Sequence, residues 1–354
     1  MKLPLILTLL VASFNLSAQN VPSGGSGNKG DSTKNFSFMA VPYLNYSRST
    51  GGAFGAVPMA MYKINPKDTI SPASMTGLIG MFTTNKTWFA MFFQRFYLKE
   101  DTWRVTAAGG LASVNFQFYL DVIGGGFIDY NSQADFFYVD VQRKLIDHLY
   151  GGIHYTWVNA QTDFSDLPLP GTDTKLNGTG LLFAYDIRDE VYYPTTGSIS
   201  NLKWSSFPDF LGNEKVSNKI EMDYNHYMSM SDNDVLAFRV KGGFGLGELA
   251  FEQQFIIGQT DIRGYTQGEF RGESMAAVQG EYRWNFKNRL GLVGFFGVAS
   301  IWGSVNEDDN GSLLPGGGAG FRYNVFPKYH MNVGMDLAAG KNDWGIYFKI
   351  GEAF

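Results

Sequence analysis

The chain has 354 residues, no cysteine, 43 glycines, 16% aromatic residues and only 17% charged ones. An ordinary soluble domain is about a quarter charged, so this composition is aromatic-rich and charge-poor. A formal net charge of −5 argues against a nucleic-acid partner, and the missing cysteine excludes disulfides, thiolate metal centres, cysteine nucleophiles and a lipoprotein acyl anchor.

Residues 1–18 read as a signal peptide: Lys2 supplies the positive start, Leu3 to Val11 the apolar core, and Leu16-Ser17-Ala18 a small-residue cleavage site. The apolar run is short for a membrane anchor, so the mature chain is expected to leave the cytoplasm. Residues 19–35, QNVPSGGSGNKGDSTKN, form a flexible periplasmic tether without periodicity or room for a folded domain. Beyond it no window approaches the ~18–20 consecutive apolar residues of a membrane helix.

Strand-like segments then follow without interruption, at 36–47, 52–64, 74–84, 87–99, 102–120, 133–145, 149–160, 178–189, 196–206, 216–230, 234–245, 275–286, 290–303, 315–325, 330–339 and 343–354. None carries helical periodicity. That makes about sixteen, an even number, as in single-chain bacterial barrels. Within 275–286, Met275, Ala277, Gln279, Glu281 and Arg283 alternate with Ala276, Val278, Gly280, Tyr282 and Trp284. In the last segment Trp344, Ile346, Phe348, Ile350 and Phe354 share a face opposite Tyr347, Lys349 and Gly351.

Such alternation also fits a soluble sandwich with one wet face. Two features decide for a membrane barrel. Tyr, Trp and Phe gather at strand ends on the apolar face, as an interfacial girdle requires. Connections at Lys99-Glu100-Asp101, Ile146-Asp147, Ser231-Asp232-Asn233 and Asn288 are tight, whereas 121–132, 161–177, 246–274 and 304–314 are long. Tight turns at one end and long loops at the other mark an outer-membrane barrel with both termini in the periplasm. The expected fold is therefore an all-β transmembrane antiparallel barrel over residues 36–354, in the bacterial outer membrane.

Other chemistry finds little footing. His148, His154, His226 and His330 are spaced too widely for a metal motif. A lumen-mouth hydrolase would need a pairing such as His154 with Ser198, which nothing sets apart. Asn306-Glu307-Asp308-Asp309-Asn310-Gly311 lacks the full pattern of a calcium loop and reads as a solvated surface loop. Gly124-Gly125-Gly126 and Gly316-Gly317-Gly318 precede no helix, so they read as bends or as close packing against a folded-in loop. No enzyme, cofactor or metal is expected.

Four segments carry a resemblance. Tyr185-Asp186-Ile187-Arg188-Asp189 leads to Tyr193-Pro194-Thr195-Thr196-Gly197; Gly258 to Tyr265 contains Ile262-Arg263-Gly264-Tyr265; then come Glu281-Tyr282-Arg283 and the tail Lys349 to Phe354. In this order they resemble the BamA/TamA-type superfamily of outer-membrane assembly barrels (the bacterial surface antigen family), and in particular its short members without POTRA domains. The resemblance implies a sixteen-stranded barrel whose eleventh connection folds into the lumen, where Arg263, with Gly264 and Tyr265 beside it, meets Glu281. The family's second acid falls at Gly297 in Phe295-Phe296-Gly297-Val298-Ala299, and Asp336 is a substitute. Asp186, Arg188, Asp189, Pro194 and Gly197 would hold the periplasmic end.

Pro42 in the first strand and Gly351 and Phe354 in the last define a seam, since proline cannot donate to a ladder. The seam would act as a lateral gate, or Pro42 merely faces a bulge at the rim. The implied function is non-enzymatic assembly, insertion or translocation of proteins through that seam. It would involve outer-membrane lipid, a periplasmic or POTRA-bearing partner and client outer-membrane proteins. The alternative is a structural, lipid-organising or pore-forming barrel.

Overall fold

A strand that alternates apolar and polar side chains needs a different solvent on each face, and closing the sheet on itself separates those solvents without leaving an edge. The structure, a computed structural model, describes residues 36–47, 51–120, 126–164, 171–258, 261–265, 269–286 and 289–354. The expected signal peptide and tether, and most of Gly124-Gly125-Gly126, lie outside them.

Among the described residues, sixteen antiparallel strands close a barrel. They are β1 (Phe36–Ser47), β2 (Gly51–Tyr62), β3 (Ser74–Thr83), β4 (Trp88–Leu98), β5 (Trp103–Leu120), β6 (Gly126–Ile146), β7 (Leu149–Phe164) and β8 (Thr172–Asp186), then β9 (Gly197–Phe207), β10 (Ser217–Ser229), β11 (Val235–Gly247), β14 (Ser274–Asn285), β15 (Leu290–Trp302), β16 (Leu314–Phe326), β17 (Met331–Ala339) and β18 (Trp344–Ile350). Each pairs with the next, and β18 returns to β1. Two short strands, β12 (Phe255–Ile256) and β13 (Arg271–Gly272), pair with each other inside the β11–β14 connection.

The outer face is apolar to an extent water would not tolerate: Phe38 is 63% exposed and Phe296 62%. Tyr46, Trp88, Trp204, Trp302 and Trp344 ring one end of this face, and Tyr185, Trp284 and Tyr323 the other. These are the interfacial girdles of a membrane barrel.

The fold differs from expectation in two regions. β6 begins at 126 rather than 133, β7 continues to 164 and β8 begins at 172, so the long connections expected at 121–132 and 161–177 are mostly strand. The outward residues there, such as Asp129, Asn131, Gln133 and Lys175, are polar, which ends the alternation while the ladder continues. Asn131 Nδ2 donates to Asn115 Oδ1 at 2.8 Å and Asn159 Nδ2 to Asp135 Oδ1 at 3.2 Å. β5–β8 thus rise past the apolar belt as a hydrogen-bonded palisade.

The second difference lies at the short-turn, periplasmic end, where 63–73 and 187–196 are not tight. In the first, burial works against the Asp68 carboxyl. Hydrogen bonds from the Ser71 hydroxyl and from the Ser71, Glu100 and Ile70 backbone nonetheless hold it down at about 2. The second crosses the barrel mouth. Tyr192 packs in one cluster with Phe326, Tyr329 and Met331 and donates its hydroxyl to the Ala73 carbonyl at 3.4 Å. His330 Nδ1 meets the Glu190 carboxylate at 2.8 Å.

The hydrogen bond that His330 donates to the Glu190 carboxylate raises the imidazole above its ordinary value, against the opposing effect of burial. A raised value means that the contact stabilises the fold below about pH 6.5 and is lost as pH rises through the raised value. Above pH ~6.5, unfolding of the native barrel is expected to ease slightly with pH, by no more than about 1 kcal/mol for so exposed a pair. His330→Gln is expected to flatten that slope, as read from the heat-modified gel shift across a pH series.

Candidate functional site: a buried ion-pair ring in the lumen

The β11–β14 connection folds inward because its apolar residues find partners there. Phe255, Ile257, Ile262 and Tyr265 bury against Met275, Ala299, Ile301 and Leu314 of the inner wall. Its tip is fixed by polar contacts. Gly264 N donates to Tyr347 Oη at 2.9 Å, and Tyr265 Oη donates to the Pro315 carbonyl at 2.6 Å while accepting from Lys341 N at 3.1 Å. Gly264 has φ +114° and lies where a Cβ would meet the Ala339 carbonyl carbon at 2.5 Å, so no side chain fits. Beneath the tip, a Cβ on Gly316 would sit 2.5 Å from the Arg263 carbonyl oxygen.

Arg263 is 1% exposed. Its Nη2 donates to Glu281 Oε2 at 2.8 Å and to Gln279 Oε1 at 3.3 Å, and its Nη1 donates to Asp336 Oδ2 at 2.5 Å. The guanidinium lies 3.3 Å from the centroid of the Phe295 ring. The structure therefore brings Arg263, Glu281 and Asp336 together. Gly297 faces Gln279 across the β14–β15 register, and the acid comes from β17 instead.

The cluster is larger than the sequence suggested. Glu281 also pairs with Arg283 at 2.9 Å, and Arg283 approaches Glu352 at 3.9 Å. Glu352 pairs with Arg322 at 2.9 Å and Arg322 with Asp336 at 2.5 Å. Three arginines and three carboxylates alternate in a closed ring, Arg263–Glu281–Arg283–Glu352–Arg322–Asp336, with every side chain 2% exposed or less.

Glu352 reaches the ring because the last strand does not continue as expected. β18 ends at Ile350, Gly351 turns with φ +80°, and its N–H donates to the Asn332 carbonyl at 2.7 Å. Phe354, expected on the lipid face, is instead fully buried inside the barrel among Ile199, Tyr227, Val235 and Ala237. Arg283 Nη2 donates to its carbonyl oxygen at 2.5 Å. Ion pairing for Glu352 and burial for Phe354 replace the further ladder rungs of a straight strand. The glycine followed at once by an acid was the available signal.

At the periplasmic end, Arg188 grips Asp186 through Nε–Oδ1 at 2.8 Å and Nη2–Oδ2 at 2.9 Å. Arg104 bridges Asp186 at 3.2 Å to Asp101 at 2.7 Å, with its guanidinium 3.7 Å from the Tyr150 ring centroid. Asp189 closes the turn. Its Oδ1 accepts from the Glu190, Thr195 and Thr196 N–H groups at 2.7, 2.9 and 3.0 Å, and its Oδ2 from the Thr195 hydroxyl. Pro194 is buried within the turn, and Gly197, at φ +91°, leaves room for the Ile187 carbonyl.

Pro42 faces outward on β1, opposite Ala56 of β2. Between β1 and β18 the described residues give one registered pair, Tyr46↔Ile346, supplemented by ring contacts of Tyr43 with Phe348 and Tyr46 with Trp344 at 5.4 and 5.3 Å. His154 and Ser198 do not meet. His154 Nε2 lies 3.1 Å from Ser205 Oγ and 3.2 Å from the Trp204 carbonyl, while Ser198 stands across from His226. Among the described residues no three His, Asp or Glu side chains converge as metal ligands.

Removing one member of a buried ion pair leaves its partner's charge uncompensated, at a cost of about 3–5 kcal/mol. Arg263→Ala and Glu281→Ala are each expected to destabilise the barrel on that scale, and the double variant by much less than the sum. A denaturant titration of the folded-barrel gel band checks this, and additive losses would separate the two residues. Gly316→Val is expected to unseat the loop while leaving all six charges in place, read as new cleavage within 248–273 by protease added outside cells.

Residues 68–354 match the Omp85 superfamily domain. The outer membrane protein assembly factor BamA of Nitratidesulfovibrio vulgaris is 31% identical over 147 residues, 35% of this chain and 18% of that protein. The shared stretch is thus under a fifth of that relative's length. Among solved structures, BamA from Haemophilus ducreyi lacking POTRA domains 1–3 superposes with a TM-score of 0.58 at 11% identity, over 88% of this chain and 69% of that one. CdiB from Escherichia coli superposes with 0.63 at 12%, over 90% and 60%. The lumen-seated loop, the sixteen-strand closure and the domain match together place this chain in the Omp85 superfamily, as a β-barrel of the bacterial outer membrane.

Proposed function

We propose that this barrel acts without enzymatic chemistry in the assembly or insertion of outer-membrane proteins, or in polypeptide translocation, through the seam between β1 and β18. The observation that carries the reading is the seam's short pairing. One registered pair joins β1 to β18 among the described residues, whereas every other neighbouring pair of barrel strands registers seven or more.

β18 has seven residues against twelve in β1; extending the Tyr46↔Ile346 register brings its last residue, Ile350, opposite Pro42, and beyond it the tail is drawn into the lumen by the ion-pair ring. The lower part of β1 is left as a strand edge, with Pro42 withholding one donor. Such an edge can template an incoming strand by β-augmentation. A separate periplasmic or POTRA-bearing partner would deliver the polypeptide, and client barrels would receive it.

The chain has no cysteine, so Tyr46→Cys with Ile346→Cys places a single thiol pair on registered Cα partners. Oxidation is expected to abolish client capture in cross-linked outer membranes, and reduction to restore it. Equal capture in both states would remove the seam from the mechanism. Failure to recover any client or POTRA-bearing partner would sink the assembly reading and favour a lipid-organising or pore-forming barrel. A pore further requires large, steady conductance in planar bilayers, which the seated loop and the turn across the mouth oppose.

A further inference from the structure

The seated loop is attached at two levels. Its tip is tied down at Arg263, while its first limb rests higher, on the palisade at the extracellular end of the lumen. The chain leaves β11 at Gly247, with φ +86°, makes a 3₁₀ turn over Phe251–Gln253 and enters β12 at Phe255. Ala250 and Ile256 of this limb pack in one cluster with Tyr130 and Ala134 of β6, Val158 and Ala160 of β7 and Leu176 of β8. Polar contacts complete the seat. Gln253 Oε1 accepts from Ser217 Oγ at 2.9 Å and from the Ala250 N–H at 2.8 Å. Gln253 N donates to the Ala250 carbonyl at 2.9 Å, and Glu248 N to the Val216 carbonyl at 3.3 Å.

Such packing needs no charge, yet Glu252 is carried into it. The residue is 3% exposed, and neither carboxyl oxygen has a well-formed hydrogen bond. A carboxylate buried without donors is costly, whereas the protonated acid is tolerated. The groups that face it come from three strands. Arg271 of β13 and Thr174 of β8 favour its charged form, as does its own backbone N–H. Tyr130 of β6 stands near both Glu252 and Arg271. On β10, Ser217 is engaged by Gln253, and Lys219 lies 4.3 Å from the centroid of the Phe255 ring. Burial outweighs these partners and raises the Glu252 carboxyl to about 7. The limb thus carries one group whose proton decides whether burial is tolerated, beside a glycine about which the chain can turn.

We propose that residues 248–254 form a proton-operated cap at the extracellular mouth, lying on the palisade while Glu252 is protonated and swinging off it about Gly247 when Glu252 is charged. The tip stays seated at Arg263 in both states. In the lifted state the carboxyl returns to the ordinary glutamate value of 4.5. Seating is therefore firmest below about pH 4.5, weakens as pH rises from there, and levels off above about pH 7. The cap stands on the contacts of one limb with β6 to β8 and is independent of the seam reading.

The test is hydrogen–deuterium exchange of the full-length barrel in nanodiscs across a pH series, with protection corrected for the intrinsic pH dependence of exchange. Between about pH 5.5 and 8.5, protection across 248–253 is expected to fall about thirtyfold, levelling off above about pH 7. The tip peptide containing Gly264 is expected to keep its protection throughout. Glu252→Gln, neutral at every pH, is expected to hold the limb in the protected state and flatten the profile. Thr174→Val removes a group that favours the charged form and is expected to move the levelling-off to higher pH. The gel shift of each variant reports folding, and if Glu252→Gln fails to fold, Thr174→Val decides. Protection across 248–253 that ignores pH, a fall that persists in Glu252→Gln, an unmoved profile in Thr174→Val, or a parallel loss at the tip would each overturn the proposal.

Discussion

The alternation of three guanidinium groups with three carboxylates is the contact on which this barrel's interior depends. Each of the six charges is buried to 2% exposure or less and would be costly alone. Closing the ring gives every charge two neighbours of opposite sign. The members come from the surface loop, β14, β16, β17 and the tail after β18, so three barrel strands and two non-strand segments are held at one place. Neither the loop tip nor the tail has a ladder of its own there, and the ring supplies the directional contacts that a ladder would.

This coupling explains other features of the fold. The wall beside the loop is glycine-rich at Gly316, where a side chain would displace Arg263. The tail leaves the sheet at Gly351, which ends β18 opposite Pro42 in the Tyr46↔Ile346 register and leaves the lower part of β1 without a partner at the seam. Tyr193, from the turn that crosses the periplasmic mouth, lies 5.7 Å from the Arg283 guanidinium and accepts a hydrogen bond from Asn285. The ring therefore touches the same turn that Asp186, Arg188 and Asp189 hold in place, and the two polar networks support one another through a single aromatic residue.

Much of this was legible from residue pattern. Period-two alternation located all sixteen strands, and the lumenal face of β14 placed Glu281 beneath the loop. The choice of Asp336 as a substitute acid follows from its polar-face position in 330–339. What escaped detection depended on three-dimensional proximity or on a changed solvent. Arg322 and Glu352 are ordinary polar residues until the fold brings them within 2.9 Å. Phe295 reads as one more barrel aromatic, although it lies under Arg263. The upper halves of β6 and β8 lost their alternation because both of their faces leave the membrane, so a rule tuned to lipid ends the strand too early. Phe354 was misplaced because continuing a strand is the default, and a buried acid beside a glycine overrides it.

The palisade also makes the barrel lopsided. β5 to β8 run for 15 to 21 residues, while β1 to β4 and β14 to β18 run for 7 to 13. Those long strands stand across the barrel from the junction of β1 and β18, so the outer rim slopes, high on the far side and low on the near one. A large molecule arriving from outside the cell meets a stiff hydrogen-bonded screen in one direction. From the other direction it can come down to the level of the bilayer beside the first and last strands.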